Sequence, residues 1–178
     1  MLAGKLRTHP IQAVKELGEQ VAALAKQSIG KMRALARGLY PTLLERSGLA
    51  GALNELCSDI QEFYRVQLVL RATPVRVNKN VALHLFRIAQ EAITNAVKHA
   101  KAKRIEIDLE VRGESLIVSV RDNGVGMPSK VSTRGIGLRS MRHHAELIEG
   151  RLEIESGAGV GTRIACEAPC LPHFLEEG

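Results

Sequence analysis

RDNGVGM, residues 121–127, joins what reads as the end of a strand to a glycine-bearing loop. The preceding SLIVSV (115–120) sets Leu116, Val118 and Val120 at alternate positions, the period of a half-buried strand. A tight turn needs one glycine. Gly124 and Gly126, one residue apart and beside Asp122, suggest instead that something flat approaches the backbone closely, with a carboxylate placed to read it. Taken alone, the stretch reads better as a sharp loop turn, so its meaning depends on its neighbours.

Upstream, RIEIDLEV (104–111) alternates cleanly and pairs with 115–122 through a turn at Gly113-Glu114, which predicts a hairpin. A helix is expected over 79–100 and a strand at VQLVLRA (66–72), linked by TPVRVN. Ser47 is expected to cap a helix through GLAGALNELCSDIQEFY, with Leu49, Leu53, Leu56, Ile60 and Phe63 on one side. From Ile11 to Leu39 apolar residues recur at steps of three and four, slipping phase near Ser28, and Pro41 stops the run. So narrow a stripe on so long a helix calls for a partner helix. Downstream, LRSMRHHAELIE is helical and Gly150 ends it; RLEIES and TRIACEA form a last strand pair around GAGVG. Helices covering one face of a mixed, mostly antiparallel sheet fit this order: an α/β two-layer sandwich preceded by a helical dimerisation arm. The expected division is 1–60 for a partial dimerisation and linker region, 61–170 for the main domain and 171–178 for a tail.

Composition narrows the function classes. Of 178 residues 45% are apolar, enough for a core, yet Trp is absent and aromatics make up 3%, which argues against base-stacking platforms for nucleic acid. The net charge of +6 is concentrated in residues 1–46, where eight Lys/Arg face three acids. Such an arm suits an acidic partner or a plain solvated helix face. Cys57, Cys166 and Cys170 are odd in number and lack paired metal spacing, so reduced thiols in a cytoplasmic setting are expected. No apolar run approaches the ~18 residues of a membrane span. A longer parent protein can still be membrane-anchored.

Four spots can carry chemistry. In EAITNAVKHA (91–100), Glu91 and Asn95 lie one turn apart on one helix face, with Lys98 and His99 a turn further on. A mid-helix Asn is a poor helix former, and its carbonyl oxygen is a hard ligand suited to Mg²⁺. A Glu one turn away can orient or deprotonate a nucleophile. In DNGVG (122–126), Asp122 suits the exocyclic amine of adenine. RGIGL (134–138) opens a helix whose first N–H groups can receive phosphate. GAGVGT (157–162) joins two strands. Each alone has a plain structural explanation: a polar helix face, a turn, a cap, a hairpin loop.

Together and in this order they resemble the N, G1, G2 and G3 boxes of the GHKL ATP-binding fold, found in sensor histidine kinases, gyrase, a heat-shock chaperone and mismatch-repair ATPases. The likeness covers roughly 75–169. Further, ALHLFRIAQEAITNAVKHAKAKRIEIDLE, SVRDNGVGM, GIGLRSMRHHAELIEGRLEIES and GLYPTLLERSGLAGAL resemble the nitrate/nitrite-responsive class of bacterial sensor kinases, including its second dimerisation helix. The resemblance implies ATP and Mg²⁺ as cofactors, with Asp122 on adenine and Gly124 and Gly126 bordering the base. It implies Asn95 on Mg²⁺ and Glu91 assisting proton removal. Lys98 and His99 would lie near the phosphates, Gly135, Gly137 and Leu138 around them, and Thr162 near the base. Residues 127–134 would form a lid. A response regulator and a second copy of the chain are the implied partners, without nucleic acid.

One departure stands out. That class carries its phosphorylated histidine in a His-Asp context, and this chain has no His-Asp pair. His9 precedes Pro10, His84 and His99 belong to the N-box helix, His143-His144 follow the lid, and His173 is in the tail. The expectation is a catalytic portion whose phosphoacceptor lies elsewhere. Two alternatives share the motifs: a GHKL serine kinase of an anti-sigma system, which normally lacks a long dimerisation helix, and a dimeric scaffold with a vestigial nucleotide site.

Overall fold

In a computed structural model of the chain, the structure describes residues 12, 14–19, 21, 41–75, 77–127 and 135–170. The chain divides into two compact units, 1–39 and 40–178. In the first, residues 12, 14–19 and 21 are helical, with Val14, Leu17 and Val21 of the expected stripe each more than half exposed. The rest of the expected helix, the basic residues Lys31, Arg33 and Arg37, and His9 lie outside the described residues, as do residues 128–134 of the expected lid and the tail.

The second unit contains a five-stranded sheet. Its elements in chain order are α1 (Pro41–Phe63), β1 (Gln67–Ala72), α2 (Lys79–His99), β2 (Arg104–Arg112), β3 (Ser115–Asp122), α3 (Ile136–Glu146), β4 (Arg151–Gly157) and β5 (Gly161–Pro169). Strand order is β1-β2-β3-β5-β4, with β1 parallel to β2 and every other pair antiparallel. The parallel pair follows from α2, since parallel strands need a crossover and a helix is the usual one. The sheet is therefore mixed and mostly antiparallel, as the alternation of the strands leads one to expect.

Register fixes which residues share a face. Leu116, Val118, Val120 and Asp122 stand in one row of β3, opposite Val111, Leu109, Ile107 and Ile105 of β2; on the other side Ala168, Cys166 and Ile164 of β5 face Leu116, Val118 and Val120. Apart from Val111, which is exposed, these apolar side chains join Leu85, Phe86, Ile88 and Ile93 of α2 in one core, which also takes in Leu44, Leu49, Leu53 and Leu56 of α1 and Met141 and Ala145 of α3. The opposite face carries cross-strand charges: Arg71 pairs with Glu106 and Asp108, and Arg163 with Glu155. Asp122 thus extends the core row by one residue, and the same period-two geometry that buries Val120 buries this carboxylate.

One local expectation is corrected near the start of this unit. Pro41 opens α1, where its fixed φ and missing N–H cost nothing, while the run it was expected to end lies largely outside the described residues. Ser47 does not cap the following helix: its hydroxyl donates to the Leu43 carbonyl at 2.9 Å, back along the helix it sits in. The break falls one residue later, at Gly48, whose φ of 64° and ψ of −174° interrupt α1. Gly51 packs so closely on Ser47 that an added Cβ would collide with its side chain, so the two halves of α1 meet at small residues.

Candidate active site

α2 begins where Asn78 accepts from the Asn80 amide at 2.8 Å, an N-cap one residue before the helix that the polar connector did not reveal. Its buried face includes Ala92 and Ala96, and with Ala100 these residues recur one turn apart along one wall of a cavity of about 510 Å³. Asn95 and His99 on the same helix, Asp122, Val125, Gly126 and Met127 after β3, Gly135, Gly137 and Leu138 at the start of α3, and Thr162 and Ile164 on β5 complete the lining. The cavity is mostly apolar, with few polar groups turned into it, the usual make-up of a site for a flat heterocyclic ligand.

Asp122 is 6% exposed. Its Oδ1 accepts from the Gly124 amide at 2.8 Å, which leaves Oδ2 to serve an incoming donor. No ion pair joins it among the described residues, so the burial of this carboxylate is not offset by a cation.

The glycines of RDNGVGM also meet a packing demand that the sequence does not reveal. A side chain at Gly124 would collide with the Ala100 carbonyl, and the Val125 amide donates to that same carbonyl at 2.8 Å. Gly126 has φ of 73°, and a Cβ there would collide with the Gly157 carbonyl. Both glycines are therefore required by backbone packing around the loop, against the end of α2 and against the β4–β5 turn. Gly126 also lines the cavity; Gly124 does not. Gly161, at φ of 88°, is pressed in the same way against the Asp122 carbonyl.

On α2, the Asn95 amide donates from Nδ2 to Glu91 Oε1 at 3.2 Å. The amide nitrogen is the only end of Asn95 that can donate to a carboxylate, so the bond orients the side chain and leaves its Oδ1 as the free acceptor. Gly137 lies directly against this pair, where a Cβ would collide with Glu91 Oε1. The start of α3 thus lies close against the Glu91–Asn95 pair, and a side chain at position 137 would have to displace the Glu91 carboxylate. The cavity gathers Asn95, His99, Asp122, Gly126, Gly135, Gly137, Leu138 and Thr162; Glu91, Lys98 and Gly124 stand outside its lining.

Two further residues shape the site without having been singled out in the sequence. Asn123 Oδ1 accepts from the amides of Lys103 and Arg104, both at 3.0 Å, and ties the loop to the start of β2. Ser156 Oγ accepts from the Met127 amide at 2.8 Å and lies 2.9 Å from Thr162 Oγ1, which links the first residue of the expected lid to the β4–β5 hairpin. An Asx residue after a strand was a visible signal for Asn123; a serine in ESGAG carries none.

The chain matches the family described as histidine kinase-, DNA gyrase B- and HSP90-like ATPase over residues 80–172. It is 34% identical over 153 residues to the sensor histidine kinase LiaS of Bacillus subtilis, covering 85% of this chain and 42% of that protein. To the sensor protein VraS of Staphylococcus saprophyticus it is 35% identical over 170 residues, covering 89% and 49%. The chain spans less than half the length of these curated relatives. Among solved structures, the fold is that of the ATP-binding domain of PrrB from Mycobacterium tuberculosis, with a TM-score of 0.58, 24% identity and coverage of 68% and 93%. The histidine kinase domain of a blue-light activated kinase from Erythrobacter litoralis gives a TM-score of 0.62 at 24% identity, covering 68% and 61%. With its motifs gathered around one cavity and relatives that are sensor histidine kinases, the chain belongs to the histidine kinase-, DNA gyrase B- and HSP90-like ATPase family.

Proposed function

We propose that the chain binds ATP in the cavity between α2, α3 and the sheet, and serves as the catalytic part of a sensor histidine kinase. The γ-phosphoryl would pass to a histidine that this chain does not contain. The observation that carries this reading is the buried Asp122 carboxylate, without an ion pair among the described residues, at the wall of a largely apolar cavity. One oxygen is held by the Gly124 amide, and the other can accept from the exocyclic amine of adenine. Thr162 lies beside the base, and Gly126 borders it.

Phosphoryl transfer asks a protein mainly for positioning and charge neutralisation. Gly135, Gly137 and Leu138 offer backbone N–H groups at the start of α3 to the phosphates, with His99 in the lining and Lys98 close along α2. Asn95 fits Mg²⁺, because its amide nitrogen is engaged by Glu91 and its carbonyl oxygen, a hard ligand, is left free. Bound there with phosphate oxygens, Mg²⁺ supplies charge neutralisation. Glu91 holds Asn95 in position and is the base we assign to assist proton removal from the acceptor histidine. Residues 127–134 would act as the lid.

To this reading we assign 1–60 as a partial dimerisation and linker region of the nitrate/nitrite-sensor kind, 61–170 as the catalytic domain and 171–178 as a tail. The exposed stripe Val14, Leu17 and Val21 supports pairing with a second copy. A response regulator is the proposed protein partner, docked in part by Lys31, Arg33 and Arg37, and regulator binding unchanged on neutralising all three removes that assignment. The setting is cytoplasmic, with any membrane anchor in a longer parent protein.

Calorimetric titration with ADP and a non-hydrolysable ATP analogue, with and without Mg²⁺, tests the nucleotide reading. Binding is expected, stronger for the triphosphate when Mg²⁺ is present, and Asn95→Ala should remove the Mg²⁺-dependent gain while ADP still binds. A folded protein that binds neither nucleotide at millimolar concentration leaves a scaffold with a vestigial site.

A further inference from the structure

His84 of α2 and His144 of α3 meet outside the cavity. Their Nδ1 atoms are 2.9 Å apart, with ring centres 5.1 Å apart and ring planes tilted by 42°. At that nitrogen separation, the ring centres are as far apart as they can be only if both nitrogens lie close to the line between them. The two nitrogens therefore point at each other and do not converge on a third point, which is the geometry of a shared proton and not of a chelated metal. One Nδ1 donates and the other accepts.

Position along the helices gives the pair its meaning. Glu91 lies seven residues after His84, and Gly137 seven residues before His144. Since Gly137 packs on Glu91, α2 and α3 run antiparallel along one seam, and two of its contacts lie two helical turns apart. One is the Gly137–Glu91–Asn95 cluster at the cavity, and the other is the histidine pair. Between them α3 buries Met141.

We propose that the His84–His144 pair is a proton-operated clasp on this seam, closed while at least one imidazole is neutral and released when both are charged. Two imidazolium rings cannot share a proton, and their Nδ1–H groups cannot stay 2.9 Å apart. The surroundings resist charge on the closed pair, so uptake of the second proton drives release. Burial depresses the affinity of both rings for protons, and the charges that act on them, His143 on the same helix as His144 and Arg87 on α2, are cationic. His143 lies 6.2 Å from His144, ring centre to ring centre, and Arg87 also donates to Gln90 Oε1 at 3.0 Å. Release would loosen α3 against α2, and the first contact to feel it is Gly137 on Glu91. The clasp belongs to the apoprotein and does not depend on nucleotide being bound.

NMR titration of the full chain tests this. The imidazole signals of His84 and His144 are followed from pH 8 to pH 5, together with the Gly137 amide. Coupled sites titrate in separated steps, so the second proton should enter at least about tenfold less readily than the first. The Gly137 amide should move with that second step. In the double variant His84→Gln, His144→Gln the Gly137 response should vanish, which separates the pair from His99 in the cavity lining. If the double variant does not fold, His144→Gln alone must leave His84 titrating in a single step. Two independent, single-step titrations of His84 and His144 in the wild type, or a Gly137 amide that responds equally with and without the pair, would overturn the proposal.

Discussion

At the scale of single residues, positions that look alike in the sequence carry different demands. Gly159 and Gly161 both have positive φ, 76° and 88°, but a Cβ at Gly159 meets nothing within 4 Å while one at Gly161 collides with the Asp122 carbonyl. Gly159→Ala should therefore cost about 1–2 kcal/mol, the penalty of the left-handed backbone for an L-residue. Gly161→Ala should cost about 1–3 kcal/mol more, from overpacking against a backbone group that cannot swing aside. Denaturant unfolding of the two variants checks the order, and equal losses would mean that the close approach at Gly161 is absent. The same reasoning limits what could be read from RDNGVGM. That glycines were needed was visible, but the neighbours that require them, the Ala100 and Gly157 carbonyls, are brought there only by the folded chain. Asp122 was legible for a stronger reason, because period two carries the core row of β3 to it whatever packs above.

At the scale of elements, long patterned segments were legible and their junctions were not. The alternation in 104–111 and 115–120 defined β2 and β3, and the turn at Gly113 follows from a backbone with φ of 61°. At the start of α1 local signals competed. Ser47 is a good cap residue by type, yet Gly48 takes the special conformation and Ser47 bonds backward to Leu43. The lining Ala92, Ala96 and Ala100 was hidden because alanine at helical spacing serves a close-packed core and a cavity wall equally well. α2 supports both. Phe86 on α2 is completely buried, and Phe86→Ala should lower stability by about 3–5 kcal/mol through lost burial and the cavity left behind. Chemical denaturation at constant m-value checks this; a loss below about 1 kcal/mol would mean that Phe86 is not packed as described.

At the scale of the whole molecule, burial sorts chemistry across the chain. Burial pushes the Cys57 thiol up to about 11 and that of Cys166, with help from the Glu167 charge, to about 12, while Cys170 is only half-buried. Since the thiolate is the reactive form, iodoacetamide on the native protein at pH 8 should label Cys170 and spare the other two until the protein unfolds. Peptide mass mapping reads the outcome directly, and rapid labelling of Cys166 in the native state would contradict its place in the core. On the same scale, the acid side of the stability curve should reflect the histidine pair. Both rings bind protons less readily in the folded chain than the ordinary imidazole near about pH 6.5. Below that pH the unfolded chain takes up protons the folded one resists, so stability falls as pH falls and is regained above it. Replacing both His84 and His144 with Gln should flatten that fall in the thermal midpoint.

Nucleotide selectivity at Asp122 bears most directly on the whole reading. Calorimetric titration of the wild-type chain and Asp122→Asn with ADP and GDP should show ADP bound by the wild type and GDP bound at least about tenfold more weakly, a difference of about 1.4 kcal/mol. Asp122→Asn should lose most of the ADP affinity, since a carboxamide replaces the charged acceptor, while the loop keeps its fold because the Asn oxygen can still receive the Gly124 amide. ADP and GDP binding alike, or ADP binding unchanged in a folded Asp122→Asn variant, would show that this carboxylate does not read the base.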